Sequence, residues 1–389
     1  MAKLRCWISL GVSGCLAACP LMAFAAPAEV EVRVLATPQA VAGSDGATHL
    51  AYELDITNFY ASTGMLKLTC VDVMDKDKQH TLAQFSGDDL ASLLPPGDTL
   101  ATDKTLAIDG GRHAVILIWL SLPKGVSVPA SLSHRLEFKT SQGSVDTVDG
   151  VPVAVETRSP IRLSSPVRGG LWLADEGPGN AQSHHWGSLV AENGVLTIPQ
   201  RYAIDFFGLD SGGHAVAVPI DKLGDSQPAD WAGYNAEILA VADGVVRSVQ
   251  NGVPEHKMLA PQEAREMTPK ALYGNFVVLE IAPHIFVHYA HMRPGSVTVK
   301  IGDKVHRGDV LGRVSLTGGA GAPHLHIHLS DTAGFGQSQG LPFEFEAFTL
   351  VGRSTESDVL NRDTDLHLAP TTGKPVSNAL PLNGDLVKF

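Results

Sequence analysis

Apolar and polar residues alternate with a period of two along much of the first 150 residues. Val30, Val32 and Val34 are separated by charged residues, and Tyr52, Leu54 and Ile56 repeat the pattern. Leu66, Leu68 and Cys70 follow it, as do Leu136 and Phe138. This spacing turns one face of each segment to a core and predicts half-buried antiparallel strands. The run from His113 to Leu122, HAVILIWLSL, is apolar almost throughout and reads as a central strand. Pro95-Pro96-Gly97 and Asp109-Gly110-Gly111 mark turns between strands. Residues 26–150 are therefore expected to form an immunoglobulin-like β-sandwich. That domain shows no catalytic constellation, so a structural, spacing or docking role is expected. Residues 151–183 read as a connector, 184–350 as a second β-rich domain, and 351–389 as a loosely held polar tail.

The start of the chain follows another pattern. Lys3 and Arg5 precede an apolar run from Trp7 to Leu21, and Ala23-Phe24-Ala25 precedes Ala26-Pro27. A basic start, a short apolar run and a small-x-small site predict a signal peptide, residues 1–25, cleaved after Ala25. The run is too short to span a bilayer comfortably, so no stable membrane span is expected after cleavage. Leu16-Ala17-Ala18-Cys19 offers an alternative, a lipoprotein anchored through Cys19. The expected location is secreted or periplasmic. Three of the four cysteines lie in this leader, leaving Cys70 without a partner for a disulfide.

Composition narrows the function. A hydrophobic content of 44% with 18% charged residues suits packed domains rather than disorder. The net charge of -12 argues against nucleic acid as a partner, because a nucleic-acid binder needs a basic surface to displace counterions. The 39 glycines and 24 prolines favour turns and short strands over long helices.

Chemistry concentrates late in the chain. Seven of the sixteen histidines fall between His284 and His328, three of them in Pro323-His324-Leu325-His326-Ile327-His328. Residues two apart on a strand share a face, so His324, His326 and His328 point the same way. Three imidazoles in register are hard to explain as packing, since each buried ring needs its nitrogens satisfied. A metal or an acid/base site is the economical explanation. Asp205, in Arg201-Tyr202-Ala203-Ile204-Asp205, is embedded among apolar residues, where a carboxylate is costly unless paired or metal-bound. His288-Tyr289-Ala290-His291 ends another apolar strand.

These pieces, in this order, resemble the lysostaphin/LytM-type zinc metalloendopeptidases. The resemblance runs from Arg201 to Ser330. It is carried by RYAID, NAEILAVADGVVRSVQNG, GNFVVLEI, YAHM, IGDKVHRGDVLG and TGGAGAPHLHIHL. It implies a small two-sheet, barrel-like β domain, so that the whole chain is all-β. It also implies one zinc ion per chain, with Asp205 and His326 as ligands and His291 and His324 as catalytic histidines. Those two would position or deprotonate the attacking water and stabilise the oxyanion formed at a peptide carbonyl. The implied substrate is a peptidoglycan cross-link peptide.

One position departs from the family pattern. Four residues before Asp205 the family carries a histidine ligand, and here stands Arg201, whose guanidinium cannot ligate zinc. His184 and His185, then His328, are the candidates for the third ligand, with His214 behind them. The expected function is an exported zinc metalloendopeptidase. The alternative is a catalytically inactive relative that binds cell wall or regulates an amidase or other envelope partner.

Overall fold

The structure, a computed structural model, describes residues 25–389 except 77–79, 261–267, 367 and 369–372. The expected leader, with Lys3, Arg5 and Cys19, lies outside the described residues.

The first domain packs two sheets. One holds Ala26–Pro27, Val145–Ala154, Ser131–Thr140, Leu66–Asp75 and Thr81–Ser86, with Leu106–Ile108 beside Leu66–Asp75. The other holds Val30–Val34, Thr48–Asn58 and Val41–Ala42, with Arg112–Leu122 paired to Thr48–Asn58 from Asn58↔Arg112 to Thr48↔Leu122. Between the sheets Leu50, Tyr52, Leu54, Ile56, Ile116 and Ile118 meet Leu66, Leu68, Val71, Leu136 and Phe138. A bulge between Leu68 and Cys70 resets the alternation, so Val71 and Val73 enter the core and Cys70 is only half-buried.

The Thr48–Asn58 strand is buried on both faces. Leu50, Tyr52 and Leu54 face the sandwich core, while Ala51, with Val115 and Leu117 of its neighbour, joins the core of the second domain. Two-sided burial explains why HAVILIWLSL is apolar throughout. It also sends Glu53, which lies on the same face as Ala51, into the boundary between the domains.

The second domain is built on one open sheet. Its order is Ile161–Leu163, Phe343–Arg353, Asp385–Lys388, Leu171–Asp175, Ile204–Leu209, Leu325–Ser330, Ile285–Ala290, Phe276–Ala282, Gly244–Gln250 and Lys304–Val305, with Lys374–Ala379 on Phe343–Arg353. The expected barrel-like closure is not formed among the described residues; a separate pair, Glu237–Leu239 with Val310–Arg313, supplies the second layer. The connector and the tail also differ from expectation. Residues 151–183 contribute Ile161–Leu163 and Leu171–Asp175, and residues 351–389 contribute Lys374–Ala379 and Asp385–Lys388, all in this sheet. Polar, proline-containing sequence concealed them because Lys374–Ala379 exposes most of its residues at the sheet's periphery. The described α-helices are short, Pro269–Tyr273 and Glu356–Leu360.

Candidate metal centre

Three adjacent strands bring the polar residues together. Asp205 stands opposite His326 on one side and Asp175 on the other, and His326 stands opposite Ala290. Cross-strand partners place their side chains on the same face, so register alone puts Asp205 and His326 in contact. His326 Nδ1 lies 2.9 Å from Asp205 Oδ1, and His324 Nε2 lies 3.3 Å from Asp205 Oδ2. His291 follows the end of Ile285–Ala290 in the left-handed region, at φ 61°, which turns its ring to within 4.7 Å of the His324 ring. A non-glycine residue held there is a strained backbone position of the kind that clusters at functional sites.

Backbone carbonyls set the tautomers. His291 Nδ1 donates to Thr317 O (2.8 Å), and His324 Nδ1 donates to Ala322 O (2.9 Å). A carbonyl only accepts, so Nε2 is the atom each ring leaves for chemistry. Gly274 makes the first contact possible. At φ +66° it approaches Thr317 so closely that a Cβ would sit 2.3 Å from Thr317 Oγ1.

His185 behaves in the same way. Its Nδ1 donates to Glu176 O at 3.0 Å, and its Nε2 stands 3.5 Å from Asp205 Oδ1. Its ring lies 4.7 Å from that of His326. His184, His185 and Asp205 offer ligand atoms that all lie within 4.8 Å of one another. The short hairpin Val190–Glu192 with Val195–Thr197 carries the chain from these histidines to Asp205. The whole set lines a cavity of about 430 Å³ shared with Tyr273, Phe207, Glu176 and Glu356.

Residues 229–337 match the sequence profile of peptidase family M23. The matched stretch lies within the second domain. Among solved structures, the catalytic domain of the prophage-encoded M23 protein EnpA from Enterococcus faecalis is 21% identical, with 39% of this chain and 83% of that one covered and a TM-score of 0.22. Lysostaphin's catalytic domain from Staphylococcus simulans is 18% identical, with 45% and 88% covered and a TM-score of 0.23. A zinc-containing peptidase from Vibrio cholerae is 16% identical, with 77% and 81% covered and a TM-score of 0.21. No curated protein matches the chain.

The M23 match includes His291, His324 and His326 but begins after His185, Arg201 and Asp205. Arg201 does not share the face of Asp205. The strand begins only at Ile204, and residues 199–202 form a turn in which Ala203 N donates to Gln200 O. Arg201 thus points away from the cavity. Its Nε and Nη2 donate to Glu53 Oε1 and Oε2 at 2.7 and 2.9 Å, and Nη2 also donates to Gln339 Oε1.

The other substitute candidates separate clearly. His184 is exposed at the cavity rim, 3.2 Å from Glu176 Oε2. His328 turns from Asp205 and stands behind His326, its Nδ1 2.8 Å from His326 Nε2 and its Nε2 3.3 Å from Tyr273 Oη. His326 Nδ1 faces Asp205 Oδ1, and its Nε2 is also reached by Gln200 Nε2 at 3.2 Å. His214 lies apart, beside Asp210 and Thr364.

Electrostatics follow from burial. Burial raises the Asp205 carboxyl, but the His324 and His185 rings outweigh it and hold it well below the usual carboxylate range. Burial pushes His185, His291 and His328 well below the ordinary imidazole range, whereas at His324 burial is outweighed by the Asp205 carboxylate, which raises that ring above it. Burial, together with Glu356, Asp205 and Glu176, pushes Asp175 up to about 7. A buried set of one carboxylate and several imidazoles suits zinc on general grounds. Tyr273 and the carbonyls of Glu176 and Thr317 carried no periodic signal in the sequence, since they act from a five-residue helix and from loops.

Proposed function

We propose that this chain is an exported zinc metalloendopeptidase that cleaves cross-link peptides of peptidoglycan. The carrying observation is the convergence on Asp205 Oδ1 of His185 Nε2 and His326 Nδ1, both rings bound on their far side to a fixed partner. Asp205, His185 and His326 are the ligand set in this reading. Bound there, zinc supplies Lewis-acid activation of water for attack on a peptide carbonyl.

The chain's own residues complete the chemistry. His291 and His324, anchored through Nδ1, present Nε2 where a proton can be taken from water or held against developing negative charge. His328, backed by Tyr273, holds the His326 ring in its orientation. Phe207, Leu272 and Phe335 give the cavity apolar walls that strengthen these charges by excluding water. The basic, apolar and small-residue start of the sequence supports export to a secreted or periplasmic location. The sandwich domain is read as immunoglobulin-like.

An inactive relative was the alternative because Arg201 occupied a ligand position. Arg201 is engaged by Glu53, so its charge does not point at the proposed metal position. Zinc analysis of the purified mature protein, beside an Asp205→Ala control, tests the proposal together with hydrolysis of cross-linked muropeptides. About one zinc per chain, lost in the control, with peptide release, is expected. A metal-free parent after reconstitution would overturn it.

A further inference from the structure

The segment bearing His185 is gripped from two sides, by Glu176 of the second domain and by the first domain. Gln182 Nε2 donates to Leu94 O at 2.8 Å. Trp186 Nε1 donates to Glu53 Oε1 at 2.7 Å, and its ring packs edge-on against Trp119, 5.9 Å between centroids. Gly187 abuts the Pro95-Pro96-Gly97 turn so closely that a Cβ would lie 2.1 Å from Pro96 Cδ. Glu53, 0% exposed, thus accepts from both Trp186, next to His185, and Arg201, four residues before Asp205.

We propose that the first domain is a working part of the metal centre, with Glu53 as the positioning residue that fixes His185 and Asp205 relative to each other. This rests on the reading of His185 and Asp205 as ligands. One carboxylate grips the two chain segments that deliver these side chains, one through an indole and one through a guanidinium. The arginine that replaced a ligand is, on this view, part of the device that seats its substitute. A carboxylate in the interior is retained only with such full pairing. The geometry therefore predicts that metal affinity depends on contacts made wholly outside the M23-matched stretch.

The test uses the full mature chain in two forms. Glu53→Met with Arg201→Met removes both charges at similar volume, and Gly187→Ala disturbs the segment without touching a charge. Each is checked for fold by far-UV circular dichroism, then for backbone hydrogen exchange in 182–188 and for zinc affinity by chelator competition. Faster exchange in that segment and an affinity loss of about 10–100-fold are expected, as for other groups that orient a ligand. Adding His185→Ala to either form is expected to cause a smaller loss than it causes in the parent. A folded form with parental exchange, or with parental zinc affinity, would overturn the inference. Should the paired form fail to fold, Gly187→Ala alone decides. A parent that takes up no zinc sinks the metal reading and this inference with it; a zinc-binding parent whose variants keep its affinity sinks this inference alone.

Discussion

His185 Nε2 faces Asp205 Oδ1 across 3.5 Å, and neither atom brings a hydrogen to the other. The His185 proton is committed on the opposite side of the ring, to Glu176 O. A neutral imidazole lone pair set against a carboxylate oxygen is unfavourable in a buried site unless a cation joins them. Replacing His185 by alanine is therefore expected to lower zinc affinity more than the 10–100-fold typical of an orienting residue. His214→Ala, away from the cavity, is expected to leave affinity at the parental value. Chelator competition on both variants checks the pair.

His291 is expected to matter for rate rather than for metal retention. Its Nδ1 anchor on Thr317 leaves only Nε2 for proton transfer. His291→Ala should keep about one zinc per chain while peptide hydrolysis falls about 10²–10⁴-fold, the usual share of a positioned acid or base. Loss of zinc in this variant would count against the assignment.

Glu53 and Arg201 form a pair in which both side chains are almost fully shielded from solvent. Removing one partner strands a buried charge, so Glu53→Ala should destabilise the protein by about 3–5 kcal/mol. The paired replacement by methionine should be markedly more stable than either single change. Urea unfolding of the three variants measures this directly.

In the first domain, Tyr52 Oη donates to His134 Nε2 at 2.8 Å, and His134 Nδ1 donates to Val151 O at 2.9 Å. Burial lowers the affinity of His134 for a proton below the ordinary imidazole value. The unfolded chain then binds the extra proton first, so the stability held by His134 is present above pH ~6.5 and is lost as pH falls below it. Relative to His134→Gln, the parent's advantage in Tm should shrink between pH 7.5 and pH 5. A constant difference across that range would refute the assignment.

Much of the fold and half of the site could be read from residue order. Period-two alternation located the sandwich strands, and His324-x-His326-x-His328 with Asp205 located the centre, because register places those residues side by side. Other features depended on contacts far apart in sequence. The Arg201 side chain follows a turn rather than a strand, and its partner Glu53 lies 148 residues away. The strands in 161–175 and 374–388 carry polar or short patterns, since their pairing partners rather than their own periodicity specify them. Cys70 was expected on the core face, and a single bulge shifted the alternation there.

The strand Asp385–Lys388 lies between Leu171–Asp175 and Phe343–Arg353, and Leu171–Asp175 in turn borders the Asp205 strand. The sheet that frames the cavity therefore cannot close until some of the last residues described have been made. Pairings of such wide sequence separation fold slowly, because loop-closure entropy must be met before the contacts form. A chain emerging from its start would pass through a stage with the sandwich assembled and the histidine centre still open. The histidine centre would then be among the last parts of the chain to reach its final arrangement.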